Sequence, residues 1–146
     1  MKILLKKLIL STSLLGLLAL PALAECPRGD LDTRYCDVNG DLVADTPTDS
    51  SKWLDPDTLI FAYTPVEDPS VYRGVWADFL DNMEKVTGKK VIFFPVQSNA
   101  AQIEAMRSGR LHVAGFNTGS NPLAVNCAGF ESFAIMASLT GHFGYE

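Results

Sequence analysis

The chain has 146 residues, 12 basic and 17 acidic side chains, and 47% hydrophobic residues, which excludes an intrinsically disordered polyanion. Its formal net charge of −5 argues against a nucleic-acid surface, which needs clustered lysine and arginine. The length suits one compact domain, or one piece of a larger protein, but not two domains of ordinary size.

The first 24 residues have the pattern of a secretory signal peptide. Three lysines precede an apolar run at residues 8–20, and Pro-Ala-Leu-Ala at residues 21–24 matches a cleavage site. A retained membrane anchor is the alternative, but the apolar run is shorter than the roughly 20 residues that span a bilayer. We therefore expect a periplasmic or secreted chain that begins at Glu25 and carries 9 basic and 17 acidic side chains, a net charge of −8.

Residues 25–52 form an acidic, turn-rich segment that contains two of the three cysteines. Cys26 and Cys36 enclose a short polar loop, and we expect them to form a disulfide in an oxidising compartment. Cys127 lies far along the chain. It is either a buried free thiol or the partner of a cysteine beyond residue 146.

The same segment contains a possible calcium loop. Oxygen-bearing side chains stand at positions 1, 3, 5 and 9 of the nine residues after Cys36, as in the first part of an EF-hand loop. They are Asp37, Asn39, Asp41 and Asp45. Leu42 stands where such loops have glycine, and Thr48 stands where they have a bidentate glutamate. The segment is therefore either a structural calcium clip or an acidic surface turn.

From Trp53 onward, short apolar runs alternate with helical patterns. The predicted strands are Thr58–Tyr63, Val91–Phe94, Leu111–Phe116 and Phe133–Leu139. The predicted helices are a single long one between Asp68 and Gly88, a second at Ala100–Ser108 and a third at Asn121–Asn126. This alternation predicts an α/β fold, with a parallel-type sheet and flanking helices.

Two polar turns follow predicted strands, at the sheet edge where ligands of parallel sheets bind. The first is Gln97-Ser98-Asn99, with Gln102 at a capping-box spacing from Asn99; the second is residues 117–121. Each precedes a helix, and two helix N-termini at one edge can bind an anion without lysine or arginine. The alternative is that these side chains only cap their helices.

No pattern in the chain indicates catalysis. His112 lies inside a predicted strand and His142 in the glycine-rich end, and neither belongs to an H-E-x-x-H motif. The chain has no G-x-S-x-G, no phosphate-binding P-loop and no carboxylate pair at a recognisable spacing. We interpret it as a binding protein rather than an enzyme, with no cofactor other than a possible structural calcium ion.

Three stretches resemble a known family. Leu59–Asp68 (LIFAYTPVED), Val91–Met106 (VIFFPVQSNAAQIEAM) and Gly109–Asn126 (GRLHVAGFNTGSNPLAVN) are similar to the phosphate/phosphite/phosphonate ABC-transporter substrate-binding proteins. The resemblance implies a periplasmic protein of two α/β lobes, which holds a phosphorus oxyanion or organophosphonate between them and delivers it to an ABC permease. Residues 53–146 would then be the first lobe, ending at the hinge.

The resemblance also implies which residues contact the ligand. Ser98 and Asn99 match the family's first-lobe contact, residues 117–120 match a turn that lines the cleft, and Gly144-Tyr145 matches an aromatic contact before the hinge. The predicted ligand-binding residues are Ser98, Asn99, Asn117, Thr118, Ser120 and Tyr145. Many phosphonate binders carry tyrosine at the first contact, where this chain has Ser98-Asn99.

Two other functions fit the same sequence. One is a calcium-clipped extracellular scaffold or adhesion module, and the other is a sensor lobe of the same fold that feeds a signalling receptor. The second-lobe clamp of the family is absent from these 146 residues. We therefore expect these residues alone to bind phosphonate, phosphite and phosphate weakly or not at all.

Overall fold

A computed structural model of the chain describes residues 26–65 and 68–143. The predicted signal peptide and Tyr145 lie outside these residues. Three parallel strands form one sheet in the order β2-β1-β3, which confirms the α/β fold class. The elements are a 3₁₀ turn at Ser50–Lys52, β1 (Thr58–Tyr63), α1 (Pro69–Val75), α2 (Ala77–Thr87), β2 (Lys90–Phe93), α3 (Asn99–Arg107), β3 (Val113–Gly115) and α4 (Asn121–Ala128).

Alternating residues of β1 bury their side chains in two separate cores, as expected for a strand covered on both faces. Phe61 packs with Val91 and Phe93 of β2, and side chains of α2 complete that cluster. Ala62 belongs to the second cluster, which α3 and the residues after α4 complete. The helices therefore cover both faces of the sheet and leave its carboxyl edge to the turns.

The predicted long helix is two helices. Trp76 interrupts it with φ −90° and ψ 0°, and Gly88 ends α2 with a left-handed φ of 68°. Trp76, Leu80 and Met83 pack against the sheet, but Val75 and Val86 of the predicted apolar stripe are 68% and 78% exposed. The apolar stripe predicted from the sequence is therefore only partly buried against the sheet.

The predicted strand at Phe133–Leu139 is wrong. In the described residues this segment makes one isolated antiparallel bridge, between Ala137 and Phe143, through a tight turn at Gly141. Phe133, Ile135 and Leu139 are exposed. An apolar run becomes a strand only when a neighbouring strand pairs with it, and none of the described strands does so here.

The N-terminal segment is held by covalent and polar contacts rather than by a core. Cys26 and Cys36 form the disulfide that their spacing predicts, with their Cα atoms 5.5 Å apart. Asp37 is buried, and its carboxylate accepts hydrogen bonds from the backbone N–H groups of Gly40, Asp41 and Leu42 at 2.8–3.0 Å. Leu42 has a left-handed φ of 68°, the conformation for which calcium loops normally use glycine.

This segment lies against the C-terminal ends of α3 and α4. The Arg34 guanidinium donates to the carbonyl oxygen of Arg107 at 3.2 Å and to that of Cys127 at 3.0 Å. Asp32 accepts from both Arg34 and Arg107 at 2.9 Å. The Arg34 cation therefore complements the negative ends of both helix dipoles.

Within the part of the chain that the structure describes, the helices are too short or too polar to cross a bilayer.

Candidate functional site

A groove of about 590 Å³ runs between α3 and α4. Asn99 and Ala100 of α3 line it, together with Asn117, Gly119 and Ser120 of the turn before α4. The two polar turns predicted from the sequence therefore open on one shared space. Their neighbourhood follows from the strand order, because β2 and β3 flank β1 and deliver their carboxyl ends to the same edge.

The start of α3 is capped by Ser98. Its Oγ accepts a hydrogen bond from the N–H of Ala101 at 3.1 Å, and its carbonyl accepts from the N–H of Gln102 at 3.0 Å. The backbone N–H groups of Asn99 and Ala100 have no acceptor among the described residues. They are the donors that a helix N-terminus offers to an anion.

Asn117 caps the turn that leads into α4, one turn before the assigned start of the helix. Its Oδ1 accepts from the N–H of Ser120 at 2.9 Å, and its carbonyl accepts from the N–H of Asn121 at 3.0 Å. The N–H groups of Thr118 and Gly119 have no acceptor in the described parts of the chain. The second turn thus repeats the arrangement of the first, with two unpaired donors behind a capping side chain.

A buried polar cluster lies beneath these turns, at the carboxyl ends of β1 and β3. The side chain of Gln102 does not return to its own helix as a capping box would. Its Nε2 donates instead to the carbonyl oxygens of Gly115 at 3.0 Å and Ala62 at 3.4 Å. Thr64 donates to the same Gly115 carbonyl through its N–H and its Oγ1.

The groove has a different character at its far end. Its middle is apolar, with Ile103 of α3 facing Leu123 of α4. Arg107 lies near the far end and is paired with Glu104 and Asp32. The Asp32 carboxylate raises the pKa of Arg107, and the hydrogen bond from Arg34 lowers the pKa of Asp32. These charges pair with one another. At the other end of the groove, where α3 and α4 begin (the open end), the described lining residues are neutral.

The structure places three of the six predicted ligand residues in the lining of the groove: Asn99, Asn117 and Ser120. Ser98 and Thr118 adjoin the lining, and Tyr145 falls outside the described residues. Sequence reasoning predicted backbone donors at both helix starts but did not name Ala100 and Gly119, because their side chains carry no chemical signal. It also missed Thr64, although a polar residue directly after a parallel strand was a signal that could have found it.

The calcium loop is separate from this groove. Among the described residues, no three His, Cys, Asp or Glu side chains are grouped so that they could hold a metal ion. Asp37 and Asp45 use carboxylate oxygens to accept backbone N–H groups of the loop itself. The predicted calcium site at Asp37, Asn39, Asp41 and Asp45 stays a prediction.

His112 and Cys127 have no catalytic partner among residues 26–65 and 68–143. The N–H of Ile60 donates to Nδ1 of His112 at 3.0 Å, so the imidazole serves as a structural acceptor beside β1. Cys127 is a half-buried free thiol at the far end of the groove. The arrangement as a whole offers anion binding by neutral donors, without an activated nucleophile or a base placed beside one.

Comparison with known proteins gives two matches, one to a family sequence model and one to a solved structure. The sequence model of a family described as "ABC transporter, phosphonate, periplasmic substrate-binding protein" matches residues 61–146. A crystal structure of a binding protein component of an ABC phosphonate transporter from Pseudomonas aeruginosa is 26% identical, with a TM-score of 0.48. That similarity covers 51% of this chain and 24% of the Pseudomonas aeruginosa protein, so this chain spans less than two thirds of the length of that protein. No curated protein matches the chain.

Proposed function

We propose that this chain, which belongs to the family of periplasmic substrate-binding proteins of phosphonate ABC transporters, binds a phosphorus oxyanion or organophosphonate at the open end of the α3–α4 groove. The family comprises transporter binding proteins rather than enzymes. In this proposal the chain is exported by its signal peptide and delivers the ligand to an ABC permease. The ligand lies between these residues and a second lobe.

One observation carries the proposal: two capped helix starts open on the same groove, each with two unpaired backbone N–H groups. Phosphonate oxygens accept hydrogen bonds from such donors. Asn99 and Asn117 add amide side chains in the lining. The donors gain strength when water is excluded, which closure of a second lobe over the groove would achieve.

The acidic composition is compatible with this role. The exported chain, from Glu25 onward, carries 9 basic and 17 acidic side chains, a net charge of −8, so it gives no long-range attraction to an anion. Affinity then depends on local donors and not on steering. We therefore expect a weak dependence of binding on ionic strength. Among the described residues, Arg107 is the one lysine or arginine that lines the groove, and it lies at the far end from the helix starts.

Isothermal titration calorimetry tests the proposal. The full natural chain is titrated with methylphosphonate, phosphite, phosphate and, as a control for anions in general, sulfate. Micromolar or tighter binding of one of the phosphorus compounds, with at least about tenfold weaker binding of sulfate, is the expected result. Equal affinity for all four anions, or no binding by any, would refute it.

A further inference from the structure

We propose that Gln102 is a positioning residue: its buried amide fixes the two helix starts relative to each other and so sets the geometry of the oxyanion site. The inference rests on the function proposed above but assigns a role to a residue that does not line the groove. Gln102 is 0% exposed and is the largest fully buried side chain of the described residues. A polar amide at such a position needs a physical reason.

The first link joins α3 to the sheet. Gln102 stands in the first turn of α3, and its own N–H is bonded to the carbonyl of the capping residue Ser98. Its Nε2 donates to a carbonyl near the end of each of two strands, Ala62 in β1 and Gly115 in β3. The amide therefore holds the N-terminal turn of α3 against two strand ends at once.

The second link runs from the sheet to the turn before α4. The Gly115 carbonyl that receives Gln102 also receives Thr64 Oγ1 at 3.2 Å, and Thr64 Oγ1 in turn accepts the N–H of Asn117 at 3.3 Å. Asn117 then caps the second turn through Ser120. A chain of hydrogen bonds thus connects the two sets of unpaired donors.

Burial makes this connection stiff. Thr64 and Ser120 are only 4% and 5% exposed, so together with Gln102 they account for three of the four buried polar residues in the described parts of the chain. Water cannot easily replace their partners, and in a low-dielectric setting each bond is strengthened. The Oε1 of Gln102 has no partner among the described residues. Stability alone would favour an apolar side chain here, so the donor end of the amide explains why a glutamine is present.

The experiment compares Gln102→Met with the unaltered protein, both as the full natural chain. Methionine keeps the length and volume of the side chain and removes its donors. We expect about a tenfold loss of phosphonate affinity, the size of effect typical when a residue that orients a ligand-binding group is lost. Asn82→Met, which removes an exposed amide from α2, is the matched control and should leave affinity unchanged.

Hydrogen exchange provides a readout that does not depend on ligand. In Gln102→Met the amides at 101–102 and 120–121 should exchange faster, while those of α2 stay protected. Unchanged exchange in both turns would overturn the positioning role, as would faster exchange with unchanged affinity. If the unaltered protein binds no phosphorus oxyanion, the proposed function fails, and exchange alone then decides whether Gln102 couples the two turns.

A second variant separates positioning from general loss of packing. Gln102→Glu retains the shape, but its carboxylate repels the two carbonyls, whereas its protonated form can donate to one of them. Its affinity, divided by that of the unaltered protein at the same pH, should therefore rise as the pH falls. A ratio that is constant with pH would contradict the proposal.

Discussion

The N-terminal and C-terminal ends of α3 and α4 differ in how their backbone polar groups are paired. At the N-terminal ends, Ser98 and Asn117 cap the helices but leave backbone N–H groups unpaired beside an open groove. At the C-terminal ends, Arg34 occupies the carbonyls of Arg107 and Cys127. Unpaired backbone groups are therefore specific to the N-terminal ends of α3 and α4 and are not repeated where Arg34 binds their C-terminal ends. The C-terminal ends of α3 and α4 are paired with Arg34, whereas their N-terminal ends are left available.

The N-terminal segment, residues 26–52, carries Arg34 and so pairs the C-terminal ends of α3 and α4 (the covered end). Disrupting this segment should therefore lower stability mainly through the covered end. Replacing both Cys26 and Cys36 with alanine opens a loop with a sequence separation of 10 residues. Chain entropy predicts a loss of about 3 kcal/mol in the free energy of unfolding. Urea denaturation measures it, and a reductant should lower the stability of the unaltered protein but not that of the double variant. Equal stability would show that Arg34 and its neighbours hold the segment without the disulfide.

A charge at the open end should affect binding and not folding. Asn117→Asp keeps the capping oxygen and favours the helix dipole, so the melting temperature should stay within a degree or two. The added negative charge faces the ligand, and we expect about a hundredfold loss of oxyanion affinity. Asn82→Asp on α2 adds the same charge away from the groove and should change affinity little. Full affinity in Asn117→Asp would place the ligand elsewhere.

The converse change at the covered end should affect folding and not binding. Arg34→Met removes the donors to both helix C-termini and one of the two arginine partners of Asp32. These bonds are partly exposed, so a loss of about 1–2 kcal/mol in unfolding free energy is expected. Arg110→Met is the control, because the Arg110 side chain is exposed and, among the described residues, donates to Ser108 alone. A large change in oxyanion affinity in Arg34→Met would show that the two ends are coupled.

The smallest expected effect is a pH dependence at the covered end. The pKa of Asp32 is lowered in the folded state, chiefly by its hydrogen bond from Arg34. Its contribution to stability is therefore present above the ordinary aspartate pKa and is lost as the pH falls through the lower folded value. The melting temperature of Asp32→Asn should be below that of the unaltered protein at about pH 7, and the gap should close in acid. A gap independent of pH would assign the effect to shape and not to charge.

Local signals predicted one end of the helix pair much better than the other. Ser98 and the 117–121 turn are short-range signals, since a cap and its helix are adjacent in sequence. The apolar runs of β1 and β2 are local signals of the same kind, because each predicts a strand at its own position. The Arg34 contacts join residues 73 and 93 positions apart. No local pattern marks such a pair, so the covered end could not be predicted.

The errors have the same origin. The capping-box spacing assumed that Asn99 is the cap, but Ser98 caps the helix, so Gln102 lies one position beyond the box. Its amide donates instead to two carbonyls at the ends of the strands. Phe133–Leu139 has strand composition without a strand beside it in the described residues. Gly74, two residues before the break at Trp76, was a signal for the break, because glycine is a weak helix former. The indole at the break packs against Phe61 and Tyr63.

That indole provides an optical probe. The Trp76 ring packs at a tilt against Tyr63, with ring centroids 4.8 Å apart. The Tyr63 ring lies so close to Gly115 that a larger residue at position 115 would collide with it. Emission from Trp76 is therefore sensitive to small displacements where β1 and β3 end. Trp53 is the other tryptophan of the chain, so a Trp53→Phe variant would let fluorescence follow ligand arrival at this edge on the millisecond timescale without an added dye.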